Sequence, residues 1–140
     1  HADSEISSFS SANVSGIALS EFCELRGHYA HDENSQQIAE RVKNSAYDII
    51  KKKRATYYGI AMAVKRICEV IIRDEKSILP VSSMMHGAYG IEDVVLSMPA
   101  VVGKNGVESQ VPIPLSQEEI EKLRLSAETL KKILSDVEWE

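Results

Sequence analysis

The sequence has few of the features that mark membrane, disulfide-stabilised or nucleic-acid-binding proteins. It holds two cysteines, Cys23 and Cys68, which lie far apart and in no CxxC spacing. We therefore expect buried or free thiols in a reducing compartment. The longest apolar runs, such as residues 60–64, are too short to cross a bilayer. The 16 basic residues are outnumbered by 21 acidic ones, and a net charge of −5 argues against binding to nucleic acid or an anionic membrane.

Motifs for phosphate binding and for an activated serine are also missing. The sequence contains no Gly-rich phosphate loop, Walker motif or G-x-S-x-G turn. It starts at His1 with neither an initiator Met nor a signal-peptide pattern, so we expect a processed chain or part of a longer one. What is present suits one globular domain, because 140 residues that are 44% hydrophobic can fill a core.

The N-terminal part carries only a weak pattern. Its apolar residues are spaced as in short extended segments, with Gly16 as a break. These apolar residues are Ile6, Phe9, Val14, Ile17 and Leu19.

Two long consecutive helices are predicted next, over residues 35–53 and 55–73, because apolar residues recur there at helical spacing. The first helix opens on a capping-box-like pair, Asn34 and Gln37. Its apolar face consists of Ile38, Val42, Ala46, Ile49 and Ile50. The apolar stripe of the second helix consists of Ile60, Val64, Ile67 and Ile71, widened by Cys68 and Ile72.

Three strands should follow a charged turn at residues 74–76. Their expected spans are 78–85, 94–102 and 107–115, with a turn at 87–90 between the first two. Asn105-Gly106 is typical of a hairpin, and Pro112 and Pro114 suit an edge position or a strand end.

Ser116 and Glu119 form a capping box, behind which an amphipathic helix should run to the C-terminus. The strands are grouped together and do not alternate with helices. This order indicates an α+β fold: two long consecutive helices, a twisted antiparallel sheet and a C-terminal helix on that sheet.

Two polar clusters invite a functional interpretation. His28 and His31, beside Asp32 and Glu33, could be imagined as a metal site. We favour a polar loop before the Asn34 cap, because no regular element would hold the ligands in place; no metal site is predicted. The basic run at 51–54 fits a solvated helix end that complements the helix dipole, and His86 beside Gly87 fits a turn.

Four stretches carry a family pattern: residues 45–50 (SAYDII), 53–62 (KRATYYGIAM), 81–94 (VSSMMHGAYGIEDV) and 98–106 (MPAVVGKNG). They resemble the L-lactate dehydrogenases, especially the bacterial type. The resemblance covers essentially all 140 residues in unbroken order, and the ATYYGIA block is specific to this family. In that alignment the chain begins at the histidine of the family's E-H-G-D-S/T motif. Residues 1–140 therefore resemble the C-terminal, substrate-binding half of a lactate dehydrogenase.

The resemblance implies an NAD-dependent enzyme that interconverts L-lactate and pyruvate by hydride transfer. By similarity, His1 is the acid/base, Thr56 faces the substrate and Ile60 packs on the nicotinamide ring. The i, i+4 spacing places Thr56 and Ile60 on one helix face. Without the family match, Thr56 would be read as a helix N-terminal hydroxyl and Ile60 as a core residue.

The resemblance also implies what lies elsewhere. The dinucleotide-binding domain, the Asp that orients the histidine and the arginines that clamp the substrate carboxylate would all lie upstream, so the chain alone should be inactive. The resemblance further implies a cytoplasmic enzyme of carbohydrate metabolism and pyruvate fermentation that assembles as a homo-oligomer, either a tetramer or a dimer. It implies no nucleic-acid or membrane partner. A lactate-dehydrogenase-like malate dehydrogenase and a non-catalytic interaction module that kept the fold remain alternatives.

Two positions depart from the family pattern. Ala2 and Arg54 stand where the family commonly has Gly. If either position requires a positive φ, a side chain there costs about 1 kcal/mol.

Overall fold

A computed structural model describes residues 6–27 and 31–137. The helices are α1 (Leu19–Leu25), α2 (His31–Lys53), α3 (Tyr57–Ile72) and α4 (Gln117–Ser135). The strands are β1 (Asn13–Val14), β2 (Ile17–Ala18), β3 (Ser77–His86), β4 (Glu92–Gly103) and β5 (Gly106–Gln110). The order confirms the predicted α+β class. No described helix has both the length and the apolar composition that a membrane crossing needs.

The chain divides into two compact units. Within the described residues, unit 1 runs to Arg54 and includes Pro114–Ser126, whereas unit 2 comprises Ala55–Ile113 and the chain from Ala127 onwards. Helix α4 therefore contributes its first part to unit 1 and its second part to unit 2.

The N-terminal part of unit 1 contains a short hairpin, which confirms the extended segments predicted around Val14 and Ile17 and the break at Gly16. Strands β1 and β2 pair antiparallel around Ser15 and Gly16, both of which have positive φ, +53° and +86°. The extended prediction is wrong at Phe9, which starts a 3-10 turn, and at Leu19, which starts α1. Leu and Glu are good helix formers, and Glu21 in the first turn suits the positive end of the helix dipole.

Helix α2 begins earlier than predicted, at His31. Asn34 therefore lies inside the helix, and the expected polar loop over residues 31–33 is wrong. The negative charge of Glu33 in the first turn favours this earlier start. At the other end the prediction is confirmed, since Lys51–Lys53 form an exposed last turn.

Unit 2 is built on an antiparallel sheet in the order β3-β4-β5. The long pairing of β3 with β4 runs from Ser77↔Val102 to His86↔Glu92, with one irregularity near His86. His86 is thus the exposed last residue of β3, one position before the turn expected for it. Glu75 lies in the predicted charged turn, and Arg66 of α3 donates two hydrogen bonds to its carboxylate, at 3.2 and 2.7 Å.

The core of unit 2 lies on one face of β4. Alternate residues of this strand are buried because successive side chains point to opposite faces. These are Val94, Leu96, Met98, Ala100 and Val102. Helix α3 packs against β4, and its Val70 is fully buried.

The stripe predicted for α3 does not coincide with its buried face. Ile60, Val64 and Ile72 are 64%, 53% and 83% exposed. Helical spacing identifies an apolar face, but which face the sheet covers depends on contacts distant in sequence. The apolar face of α2 is likewise open, with Ile38 and Val42 more than half exposed.

Strand β5 is shorter than the predicted 107–115. Lys104 and Asn105 form the turn of its hairpin, and Gly106, with φ +86°, pairs with Gly103; the register of β4 and β5 shifts further along, between Val101 and Val102. After Gln110, the prolines at 112 and 114 have no N–H to continue the ladder. The Tyr89 hydroxyl holds the chain there instead: it donates to the Ile113 carbonyl at 2.7 Å and accepts from the Ile113 N–H at 2.9 Å.

Candidate active site

Thr56 occupies the N-cap position of α3, as the sequence predicted. The side chain is half-buried, and among the described residues its hydroxyl makes no capping hydrogen bond to the first turn. An N-cap threonine ordinarily satisfies one of the unpaired N–H groups of that turn. Here a hydroxyl and the positive end of a helix dipole both remain available to a group outside the described chain.

Ile60 lies one turn further along the same helix. With 64% of its surface exposed, Ile60 is not a core residue in this chain. The alternative interpretation from the sequence, that Ile60 belongs to the core, is therefore wrong. Gly59 beside it has open space where a side chain would stand, with no described atom within 4 Å. Tyr57 and Tyr58 are also exposed, and their ring centroids are 4.7 Å apart. The start of α3 therefore presents an open, mainly apolar surface.

The predicted catalytic residue, His1, lies outside the described residues, as do Ala2 and His28. The structure places Thr56 at the N-cap of α3 and Ile60 one turn further along, and it gives no position for His1. Among the residues whose side chains the structure describes, which leave out those of His31 and Asp32, no three His, Cys, Asp or Glu residues are placed to hold a metal. Cys23, half-buried, and Cys68, exposed, are both free thiols.

Arg54 ends α2 in a left-handed conformation, with φ +65°. Its N–H donates to the Ile50 carbonyl at 2.7 Å and so closes the last turn. This is the position usually occupied by glycine at a helix end. From the sequence, we expected an energetic cost at Arg54 if this position required a positive φ. It does, so a side chain stands where the backbone favours glycine.

Unit 1 contains a group of hydrogen-bonded polar residues that the sequence did not predict. The Ser10 N–H donates to Glu119 Oε1 at 3.1 Å, and the Ser10 hydroxyl donates to Oε2. The Ser116 N–H donates both to Glu119 Oε2, at 2.9 Å, and to the Ser10 Oγ, at 3.1 Å. We call these three residues the Ser10–Glu119 junction. The S-x-x-E capping box was visible in the sequence, but nothing indicated a third member 109 positions from Glu119.

The junction also shifts the acidity of its carboxyl group. Partial burial raises the pKa of Glu119, but the hydrogen bonds from Ser10 and Ser116 outweigh it, so the pKa lies below its usual range. Glu119 is therefore held as a carboxylate, the form that can accept three hydrogen bonds at once.

Next to the junction lies a cleft of about 810 Å³ within unit 1. Ile6, Ser7 and Phe9 form one wall, and the first half of α2 forms another. Neither Thr56 nor Ile60 lines it.

A family model described as "lactate/malate dehydrogenase, alpha/beta C-terminal domain" matches residues 1–140. The chain belongs to this family. It is 46% identical over 138 residues to an L-lactate dehydrogenase of Thermoanaerobacterium saccharolyticum, and 47% identical over 137 residues to L-lactate dehydrogenase 1 of Clostridium acetobutylicum. These alignments cover 99% and 98% of the chain and 44% of each relative.

Solved lactate dehydrogenases share the fold of this domain. The ligand-bound minor L-lactate dehydrogenase of Enterococcus mundtii superposes with a TM-score of 0.91 at 36% identity, covering 99% of this chain and 44% of that one. The family resemblance drawn from the ATYYGIA block is thereby confirmed, and so is the fold it implied. The chain spans less than half the length of the curated relatives it matches.

Proposed function

We propose that this lactate dehydrogenase domain is the substrate side of an NAD-dependent enzyme that interconverts L-lactate and pyruvate. The observation that carries the proposal is 46% identity, over 99% of the chain, to a protein named L-lactate dehydrogenase. The open surface at the start of α3 supports it, because the two family residues on that surface, Thr56 and Ile60, remain accessible.

His1 is proposed as the acid/base. Reduction of a 2-keto acid requires a proton at the carbonyl oxygen as hydride reaches the carbonyl carbon. An imidazole with a pKa near neutrality can give that proton and take it back when lactate is oxidised. This assignment rests on the family motif at the start of the chain.

Thr56 is proposed to contact the substrate. Its hydroxyl is free of helix capping, and the unpaired N–H groups of the first α3 turn favour a negatively charged group nearby. A 2-keto acid carries a carboxylate and a polarised carbonyl, so a hydroxyl at this position can help to orient it. The substrate, in turn, would supply the acceptor that the helix start lacks.

Ile60 is proposed to contact the nicotinamide ring of NAD. The residues present fit that part of the cofactor, since an exposed isoleucine beside a glycine with open space offers accessible apolar surface. When bound, the nicotinamide supplies or accepts the hydride. The isoleucine would bury ring surface and exclude water from its face, which favours binding by about 1–2 kcal/mol. The isolated chain is expected to be inactive because it contains no glycine-rich phosphate loop.

We also propose a homo-oligomer, dimer or tetramer, for the full-length protein. Apolar side chains of α3 are more than half exposed, which is unusual for a surface that stays in water. Apart from Ile60, which is proposed to contact the cofactor, they include Tyr57, Tyr58, Met62 and Val64. The two free thiols are compatible with the reducing cytoplasm proposed as its location.

Substrate preference tests the proposal. The full-length protein that contains this chain should reduce pyruvate with NADH at a higher kcat/KM than oxaloacetate. A clear oxaloacetate preference would instead make it the lactate-dehydrogenase-like malate dehydrogenase. Failure to reduce either substrate would favour the non-catalytic module.

A further inference from the structure

We propose that the cleft of unit 1 binds a small hydroxylated amine, a molecule of the size of an amino sugar. The cleft has a volume of about 810 Å³. Sites for small molecules typically measure about 300–1,000 Å³. Its walls come from the segment that contains Ile6 and Phe9, from the first half of α2 and from the start of α4, all within unit 1. The proposal goes beyond the reaction proposed above, because neither Thr56 nor Ile60 lines this cleft.

Ser35 of α2 supplies a buried hydroxyl to the cleft. The residue is only 9% exposed, and its hydroxyl has no hydrogen-bond partner in the described part of the chain. Ser45 in the same helix, by contrast, donates to the Val42 carbonyl at 2.6 Å. No described side-chain oxygen or nitrogen is both sealed off and unpaired, so the Ser35 oxygen reaches the open space that the residue lines. A ligand hydroxyl there would satisfy a group that is costly to bury alone.

Three further polar side chains of α2 line the cleft. Gln36, Glu40 and Asn44 follow one another at intervals of four residues, so they form a row along one face of the helix. All three are exposed, and none forms a hydrogen bond or an ion pair with another described residue. Amide groups both donate and accept hydrogen bonds, which suits the hydroxyl groups of a ligand. The row therefore extends the hydrogen-bonding surface that begins at Ser35.

The charge of the cleft favours a cation. Its described ionisable groups are three carboxylates and two ammonium groups, namely Glu40, Glu118, Glu119, Lys43 and Lys122. Lys122 is paired with Glu118 at 2.6 Å, and the carboxylate of Glu119 accepts the hydrogen bonds of the Ser10–Glu119 junction. Among the described groups, Glu40 is the carboxylate left to attract a ligand, and a protonated amine complements it.

Apolar surface completes the site. Ile6, Phe9 and Ala39 also line the cleft, and Phe9 is half-buried. The C–H groups of a sugar ring can pack on an aromatic ring while the hydroxyl groups project to the sides. One aromatic ring, two amides, a buried hydroxyl and an unpaired carboxylate fit a hydroxylated amine better than a hydrocarbon or an anion.

Calorimetric titration of the full-length protein tests the proposal with sugars of similar size. Glucosamine carries a protonated amine at neutral pH, glucose is neutral and glucuronate is an anion. Glucosamine should bind with a Kd of about 1 mM, an affinity that suits an open cleft. Glucose should bind about fivefold more weakly, and glucuronate more weakly still, because only the amine complements Glu40. The titration uses no substrate, so its result does not depend on the proposed reaction.

Two substitutions assign the binding to the cleft. Glu40→Gln should lower the affinity for glucosamine about fivefold, to that of glucose, and leave glucose binding unchanged. Ser35→Ala should weaken both sugars about tenfold through the loss of one hydrogen bond to a buried group. The matched controls, Glu33→Gln and Ser45→Ala, remove a carboxylate and a hydroxyl of the same helix outside the cleft. Both should bind the sugars as the wild type does.

A folded full-length protein that does not bind glucosamine would overturn the proposal, and so would glucuronate binding as tight as that of glucosamine. Equal losses in Glu40→Gln and Glu33→Gln would also overturn it, since the binding would then lie elsewhere. Glu40 is exposed and has no partner in the described chain, so its variant should fold and decides the question even if Ser35→Ala does not fold. A protein that binds glucosamine in this pattern but reduces no 2-keto acid would support the site and contradict only the proposed function.

Discussion

Arg54 carries a side chain at a helix end whose backbone, with φ +65°, favours glycine. Left-handed backbone brings the Cβ too close to the carbonyl oxygen, which costs about 1–2 kcal/mol for a residue with a side chain. The Arg54 side chain is exposed and appears in none of the hydrogen bonds or ion pairs described above, so that cost has no visible offset.

Arg54→Gly should therefore stabilise the full-length protein by about 1 kcal/mol, measured by denaturant unfolding. The matched control is Lys52→Gly, in the last turn of the same helix, which should destabilise by about 1 kcal/mol because its backbone is helical. If both variants lose stability equally, the left-handed strain at Arg54 is not significant.

Thr56→Val tests the proposed contact between the Thr56 hydroxyl and the substrate. Valine keeps the shape of the half-buried side chain but removes the hydroxyl, so the fold should be unaffected. Loss of one hydrogen bond of about 1.4 kcal/mol to the substrate should lower kcat/KM for pyruvate about tenfold. Thr56→Ser, which retains the hydroxyl, should recover most of it. Equal values for the two variants would remove Thr56 from the substrate site.

At the scale of elements, local patterns predicted what depends on neighbours in sequence. Helical spacing located α3, and Asn105-Gly106 located the β4–β5 hairpin, because both signals are contained in a short stretch. The prolines at 112 and 114 were expected at an edge position or a strand end; β5 ends before both of them, at Gln110, although the strand was predicted to continue to residue 115. Of the candidate site, Thr56 was predicted at the correct helix end, although its substrate role came from the family pattern alone.

What could not be predicted depends on contacts between distant residues. Val70, and not the stripe at Ile60 and Val64, is the residue of α3 buried against the sheet, because β4 selects the covered face. The sequence around Ser10 carries no pattern that indicates its hydrogen bonds to Glu119, because a serine can hydrogen-bond to many kinds of donor and acceptor. Helix α1 was missed because a helix of seven residues offers little periodicity.

The bond between α4 and the N-terminal segment should make stability depend on pH. Hydrogen bonds lower the pKa of Glu119 in the folded state, so its contribution is complete above the ordinary carboxyl value of 4.5 and is lost as pH falls through the folded value. The difference in the free energy of unfolding between wild type and Glu119→Gln should be largest near neutral pH and should shrink below the ordinary carboxyl pKa of 4.5. Glu118→Gln serves as control, and a Glu119→Gln difference independent of pH would contradict the assignment.

At the scale of the whole molecule, the proposal is that this domain contributes one part of an active site. Thr56 and Ile60 lie at an open helix start, and the resemblance implies that the dinucleotide-binding residues lie in a part of the enzyme that this chain does not span. In the proposed reaction, proton transfer therefore depends on one residue of this chain. No other histidine carries the family motif, so His1 bears the central claim.

The most direct measurement is the pre-steady-state reduction of pyruvate by the full-length protein and by its His1→Asn variant, with saturating NADH. Asparagine preserves hydrogen bonding but cannot donate a proton, so the hydride-transfer rate should fall by about 10²–10⁴ while NADH binding is unchanged. The rate of the wild-type protein should also follow the protonation of a single group near neutral pH. A variant that retains the wild-type rate would contradict the account.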